Sequence, residues 1–381
     1  MKRIVMMISP NNFPNGDAGA VRDLSFAKIY MQLGYTPIVI CCNRDTINGE
    51  YDGVKYYSYH IQASTFFEKV SRYFEQKCLF IKQINEVETC YGIPSLIHLY
   101  GISNHLIKYI KHYAKKNKLQ IIHDSVEWYS PCEFKYGKLD KAYIINNRLN
   151  TKIISKPMKV IAISSYLQDH FKMRGLVCER IPVIMDVHRI ESKPCRDDKI
   201  KFIYAGSPAN KDYLTEIVNA FLKLSTQERN RIEFNIYGAT EEQLCCIGVE
   251  NTIDNHIVAH GRVSRSTVEK ALQESDFSLL LRPENERYTK AGFPTKSVEA
   301  MANGTAMICN LTSDLCLYLK DGINSIIVEK CTADSLLTAI RKAINMNREE
   351  IDLMKNNAMD TAIQYFDYHS WVSTVKQLIE R

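Results

Sequence analysis

Residues 276–310 read DFSLLLRPENERYTKAGFPTKSVEAMANGTAMICN, and the punctuation of this stretch decides the fold. An apolar run (Phe277, Leu279, Leu280, Leu281) stops at Arg282 and Pro283, and a polar loop from Glu284 to Phe293 follows. Pro294 stands where a first helical residue belongs, because its fixed φ suits that position and its missing N–H costs nothing there. The helix runs through Glu299 and Met301 and ends at Gly304, a residue free to take the left-handed conformation of a helix stop. A second apolar run, Ala306–Cys309, closes the unit. Strand, loop, helix and strand make one βαβ unit, which implies a parallel sheet. In such sheets ligands bind outside the carboxyl ends of the strands. The loop between Arg282 and Pro294 lies at that end.

The start of that helix has a definite chemistry. Its unpaired backbone N–H groups and its dipole favour an anion. Lys296, in the first turn, adds a full positive charge. Thr295, Lys296 and Glu299 fall on neighbouring faces by i, i+3 and i, i+4 spacing. Glu299 is too far along the helix to serve the dipole. A carboxylate there is placed to accept from a vicinal diol such as a ribose. A solvated Lys296–Glu299 ion pair is the plainer reading of the same spacing.

The string from Ala291 to Thr305, Ala-Gly-Phe-Pro-Thr-Lys-Ser-Val-Glu-Ala-Met-Ala-Asn-Gly-Thr, resembles the signature of family 4 retaining glycosyltransferases. The resemblance implies an α/β chain of the GT-B type: two Rossmann-like domains with parallel sheets facing a cleft. In that family the signature holds two glutamates. The first faces the donor sugar, and here its position is Ala291, a departure. The second holds the nucleotide ribose and is matched by Glu299. A subgroup of bacterial polysaccharide transferases carries a similar Phe-Pro-Thr-Lys form.

The same resemblance assigns roles elsewhere. Lys199–Ala205 reads as a strand, followed by the loop Gly206-Ser-Pro-Ala-Asn-Lys-Asp212. In the family this loop gives an Arg and a Lys to the donor diphosphate. Lys211 matches the lysine, whereas the arginine position falls on Ser207. Lys211 and Lys296 would then clamp the leaving diphosphate, with Arg282 as a substitute for the missing charge. Backbone near Gly292, Phe293, Pro294 and Thr295 would add N–H groups. The segment His260-Gly-Arg262-Val263 matches the one whose main chain meets the nucleotide base. His123, at the end of the strand Gln120–His123, matches a histidine beside the donor sugar.

The amino-terminal part begins with a strand, Lys2–Ser9, a turn region containing Gly16 and Gly19, a helix from Arg22 to Leu33 and a strand, Thr36–Cys42. The spacing is not the G-x-G-x-x-G dinucleotide fingerprint. Gly16 and Gly19 let backbone approach a ligand closely, or simply make a turn. In the resembling family this loop contacts donor phosphate or acceptor. Amphipathic helices are expected over Thr65–Glu88 and Ser103–Lys118, the second with Lys108, Lys111, Lys115, Lys116 and Lys118 on its outer face. Asp352–Arg381 reads as helical.

Composition bounds these readings. The chain has 381 residues, which suggests two domains. The expected division is 1–183, an acceptor-side domain, and 184–365, a nucleotide-sugar domain, with 366–381 packing back on the first. Residues 1–183 hold 25 Lys and Arg against 15 Asp and Glu, a net +10, while the remainder carries −4. A basic half suits an anionic membrane or acceptor, or a solvated face. No apolar run approaches the ~18 residues of a membrane span. The 12 cysteines show no zinc spacing, and free thiols in a reducing cytoplasm are expected.

Together these imply transfer of a hexosyl-type sugar from a nucleotide-sugar donor, a UDP-sugar, to a polysaccharide or lipid-linked acceptor with retention. Neither cofactor nor metal is expected, nor nucleic acid as partner. A cytoplasmic location, at the inner face of the membrane, follows from that acceptor. The alternative is a catalytically silent sugar-nucleotide-binding or scaffold protein of the same fold.

Overall fold

The computed structural model describes residues 3–16, 18–61, 66–101, 104–187, 199–206, 211–246 and 256–381, with backbone alone at 66–74, 104–105 and 246. The chain forms two compact units. Unit 1 is Met1–Asp186 with Tyr368–Arg381, and unit 2 is Val187–Asp367. The sequence reading takes the Pro182–Pro194 region as the linker between them, and residues 188–198 lie outside the described ones.

Unit 1 is built on β1 (Arg3–Ile8), β2 (Tyr35–Cys41), β3 (Asn48–Tyr51), β4 (Val54–Ser58), β5 (Leu96–Tyr100), β6 (Gln120–Ser125), β7 (Lys159–Ala162) and β8 (Cys178–Arg180). Their order is β3-β4-β2-β1-β5-β6-β7-β8. Every pairing is parallel except β3 with β4. That pair is a hairpin, although the weak alternation over Tyr51–Tyr59 reads in sequence as one strand. Its two-residue turn, Asp52-Gly53, has positive φ at both positions (54° and 78°), the geometry that Asp-Gly favours between right-twisted strands.

Unit 2 holds β9 (Ile200–Ala205), β10 (Ile232–Tyr237), β11 (Ile257–Gly261), β12 (Phe277–Leu280), β13 (Ala306–Cys309) and β14 (Ser325–Ile327), in the all-parallel order β11-β10-β9-β12-β13-β14. β12 and β13 are buried at every residue, as strands covered on both faces must be, and this is why they read as unbroken apolar runs. The helix Thr295–Ala302 joins β12 to β13, and Gly304 stops it with φ 71°.

Three further elements differ from the sequence reading. The first helix spans Ala18–Gln32, so Gly19 lies inside it and not in a turn. A Cβ at Gly19 would overlap the Asn11 carboxamide, so this glycine serves close packing. The polar loop after β12 contains a short helix, Arg287–Ala291, whose Tyr288, Thr289 and Ala291 are buried. The carboxyl-terminal run is interrupted: a helix Arg348–Tyr365, then a turn of 3-10 helix at Tyr368–Trp371, then a helix Val372–Glu380. Phe366 stays in unit 2 against Phe293 and Tyr318. From Tyr368 the chain belongs to unit 1, where Tyr368, Val375 and Leu378 share a core with Phe26, Ile29 and Tyr30. The buried Lys159 ammonium donates to the Leu378 and Ile379 carbonyls at 2.8 and 3.1 Å, anchoring the last helix at its carboxyl end.

At the amino end of β12 the Asp276 carboxylate, fully buried, accepts from Lys201 N (3.0 Å), Arg348 Nη1 (2.8 Å) and Lys355 Nζ (3.3 Å). It ties β9, β12 and the Arg348–Tyr365 helix together. Lys355 is itself 5% exposed, so removing its partner strands a charge in the interior. Asp276→Ala should destabilise unit 2 by about 3–5 kcal/mol. Urea unfolding followed by far-UV circular dichroism reads this, since both tryptophans, Trp128 and Trp371, lie in unit 1.

Candidate functional site

In unit 2, β9 leads to β10 on one side while β12 leads to β13 on the other, so the strand order reverses between β9 and β12. Loops leaving two such strands part company and open a crevice, the usual ligand position in a sheet of this kind. Asp212 follows β9, Arg282 follows β12, and Lys296 stands in the first turn of the helix that leaves the same loop. The segment after β9 is held to the end of β12 by Tyr213 N donating to Leu281 O at 2.9 Å. Arg282 is gripped by the Asn310 side chain. Its N–H donates to Asn310 Oδ1 (3.0 Å), and its carbonyl accepts from Asn310 Nδ2 (2.9 Å).

These anchors bring three charges together. Arg282 Nε donates to Asp212 Oδ1 at 2.7 Å. Lys296 Nζ donates to Asp212 Oδ2, as does the Tyr204 hydroxyl at 2.8 Å, and Lys296 Nζ also donates to Tyr204 Oη at 3.0 Å. The ammonium lies 4.4 Å from the Tyr204 ring centroid. It rests over the backbone of Gly206, where an added Cβ would overlap Nζ and Cε of Lys296. An alanine there would push the end of the Lys296 side chain aside.

Burial and charge compete at this cluster. The side chain of Asp212 is 3% exposed, against 16% for Arg282 and 22% for Lys296. Burial alone would raise the Asp212 carboxyl, but the Arg282 and Lys296 charges with their hydrogen bonds outweigh it and hold it at about 2. Burial pushes Lys296 below the ordinary lysine value, offset only in part by Asp212 and more weakly by Glu299. The carboxylate is therefore ionised, and the ammonium is the strained partner.

The other expected residues fall as follows. Lys211 Nζ stands 5.8 Å from the Tyr288 ring centroid. Glu299 is half-buried one turn beyond Lys296. Thr295 and Pro294 form the helix start without a side-chain cap, and Ser297 N and Oγ bond back to Pro294 O at 3.1 and 2.6 Å. The Gly292 N–H is already spent on Tyr288 O at 2.9 Å, so it is not a free donor for phosphate. The Phe293 ring is core. Arg262 is exposed and Val263 half-buried after β11, the edge strand two places from β9. Ser207 lies outside the described residues. Ala291, at the first signature position, is fully buried.

Gly16, Gly19 and His123 belong to unit 1. Cβ atoms at Gly16 and Gly19 would clash with the Asn12 carbonyl and the Asn11 side chain. Asn11 in turn donates to Asp23 at 2.8 Å. His123 is 1% exposed on β6, which runs two residues further than expected. Among the described residues its Nδ1 meets no partner. Burial lowers it to about 4, so the imidazole is neutral near pH 7. Its neighbour Asp124 pairs with buried Arg22 through Nε and Nη2 at 2.6 and 2.8 Å.

Among the described residues no group of three or more His, Cys, Asp or Glu could hold a metal ion, and no helix is long and apolar enough to cross a membrane. The sequence reading missed Asp212, Tyr204 and Asn310. Tyr204 and Asn310 stand at the ends of β9 and β13 and Asp212 just before the helix Leu214–Leu222, and only the pairing of β9 with β12 and of β12 with β13 gives them a common target.

The structure resembles solved ones over its whole length. It covers 100% of itself and 98% of sucrose-phosphate synthase from Thermosynechococcus elongatus, with TM-score 0.76 and 13% identity. HepE from Anabaena, solved with UDP-glucose, matches at TM-score 0.67 and 12% identity over 99% of both chains. WaaG, a glycosyltransferase involved in lipopolysaccharide biosynthesis, matches at TM-score 0.67 and 13% identity, covering 98% of this chain and 99% of that one. No curated protein matches the sequence. The fold is therefore GT-B, the two-domain α/β architecture of glycosyltransferases. Residues 188–360, nearly all of unit 2, match the family described as glycosyl transferases group 1.

The Asp212 carboxyl titrates below its ordinary 3.8. Its contribution to folding is thus complete above pH 4 and is lost as pH falls through about 2. Between those limits wild type should lose about 2 kcal/mol of stability that Asp212→Asn does not lose. Paired urea titrations at pH 5, 3 and 2 measure the difference.

Proposed function

We propose that this chain transfers a sugar from a nucleotide-sugar donor, a UDP-sugar, to a polysaccharide or lipid-linked acceptor with retention of configuration. The observation that carries this is the pairing of Arg282 and Lys296 at the strand-order reversal of a group 1 glycosyl transferase domain. UDP is favoured because HepE, of the same fold, was solved with UDP and with UDP-glucose. Retention and the acceptor class rest on the resemblance of residues 291–305.

In this reading Lys296, Arg282 and Lys211 carry the charge that develops on the leaving diphosphate. Fixed cations at a partly buried position need no reorganisation as that charge appears. The first-turn N–H groups of Thr295 and Lys296 face the same anion. Glu299 accepts from the ribose hydroxyls, one turn further along. The neutral His123 offers a ring nitrogen without adding charge, and the main chain at Arg262 and Val263 reads the base. Because Ala291 is buried, the donor-sugar contact made by the first signature glutamate must come from another residue. The basic half of the chain suits an acceptor at an anionic membrane surface of the cytoplasm.

Incubation with UDP-sugars and isolated lipid-linked acceptors, reading UDP release, tests the reading. Binding without release for every donor would mean a silent binding protein. Lys296→Gln should lower kcat by about 100-fold, the scale of losing one donor to a transition-state anion. Glu299→Ala should mainly raise KM for the donor, by about 10-fold. Gly206→Ala should leave the melting temperature near wild type, since only a flexible side chain must move. It should nevertheless weaken UDP binding by about 10-fold through the displaced Lys296, as calorimetry would show.

A further inference from the structure

Resting on the donor-site reading above, we propose that Asp212 is a positioning residue: its buried carboxylate sets Arg282 and Lys296 side by side as a preformed cradle for the donor diphosphate. Three observations carry this. The carboxylate divides its oxygens, with Oδ1 for Arg282 and Oδ2 for Lys296 and Tyr204. Each cation therefore has a fixed place relative to the other. Arg282 is held through Nε, and among the described residues neither Nη meets a protein acceptor, so the flat fork of the guanidinium is left for a ligand.

The burial gradient points the same way. Asp212 is the innermost of the three, at 3% side-chain exposure, and the two cations lie outside it at 16% and 22%. An arriving anion meets the cations first. The third observation is electrostatic. Two cations sharing one carboxylate would repel each other without it, and among the described residues the partly buried ammonium has no other anion in hydrogen-bond contact. With Asp212 present the cluster carries a net single positive charge, attractive to a diphosphate yet stable when empty. The opposing role would be a stand-in for phosphate that the donor has to displace. That role predicts tighter binding once the carboxylate is neutralised.

UDP binding to the full chain, measured by calorimetry from pH 7 to pH 10 with ADP and GDP in parallel, decides between them. Asp212→Asn keeps the shape and removes the charge. It should weaken UDP binding by roughly 10–100-fold, the scale of a charge-assisted hydrogen bond. It should also move the alkaline loss of binding to lower pH. The charged and titratable groups around Lys296 are Asp212, Tyr204, Arg282 and Glu299, and only the first is changed, so a purely structural role would leave that limb in place. Arg282→Lys keeps the charge but cannot both reach Asp212 and present a fork, and should weaken binding by about 10-fold. Equal or tighter UDP binding by Asp212→Asn with an unmoved alkaline limb overturns the inference while leaving the donor reading intact. Wild type that binds none of the three nucleotides overturns both. Should circular dichroism show Asp212→Asn unfolded, Arg282→Lys decides alone, and unchanged affinity there overturns the inference.

Discussion

The parallel pairing of β9 with β12 is the constraint on which unit 2 depends. These strands lie side by side, yet each passes the chain to a different side of the sheet. Their following loops must diverge, and the space between them cannot be filled by either connection. Whatever side chains stand at those two strand ends are then forced to face one another. Asp212 and Arg282 are separated by 70 residues in sequence and meet at 2.7 Å for this reason. The helix Thr295–Ala302 enters the same space with its amino end, and Lys296 arrives with it.

The two ends of this sheet use one chemistry for different purposes. At the amino end, Asp276 is buried between Arg348 and Lys355 and closes the packing of the helix Arg348–Tyr365 on β9 and β12. There Arg348 spends Nη1 on Asp276 and Nη2 on the Lys199 carbonyl. At the carboxyl end, Asp212 is also buried between two cations, but Arg282 holds it through Nε alone, and among the described residues neither Nη has a protein acceptor. A carboxylate whose cations keep a fork unspent makes a surface an anion can use; one enclosed by cations whose N–H groups are spent makes a cross-link. In unit 1 the bidentate Arg22–Asp124 pair is of the enclosed kind, and Arg22 further donates to the Pro182 and Ile181 carbonyls.

Legibility followed the range of the interaction. The βαβ unit at residues 276–310 was readable because strand apolarity, Pro294 and Gly304 are local signals. Lys296 and Glu299 were readable as a pair because a helix places i and i+3 together whatever surrounds it. Gly19 was misread because a glycine that makes room for Asn11 looks, in sequence, like one that makes a turn. The Asp52-Gly53 hairpin carried a local signal that the weak alternation around it obscured. The short helix Arg287–Ala291 looked polar along the chain, yet Tyr288, Thr289 and Ala291 turn inward once it coils.

From the amino acids alone came the parallel α/β architecture and the cations that an anion site would need, and the helix start to within one residue, since it begins at Thr295 with Pro294 extended before it. These depend on periodicity, capping and charge, which act over a few residues. The tertiary structure alone decided that Asp212 stands between Arg282 and Lys296, that Gly206 lies beneath the ammonium, that the Gly292 N–H is already committed and that His123 is buried and neutral. Each of those depends on strand order and burial, and both bring together residues that no local rule connects.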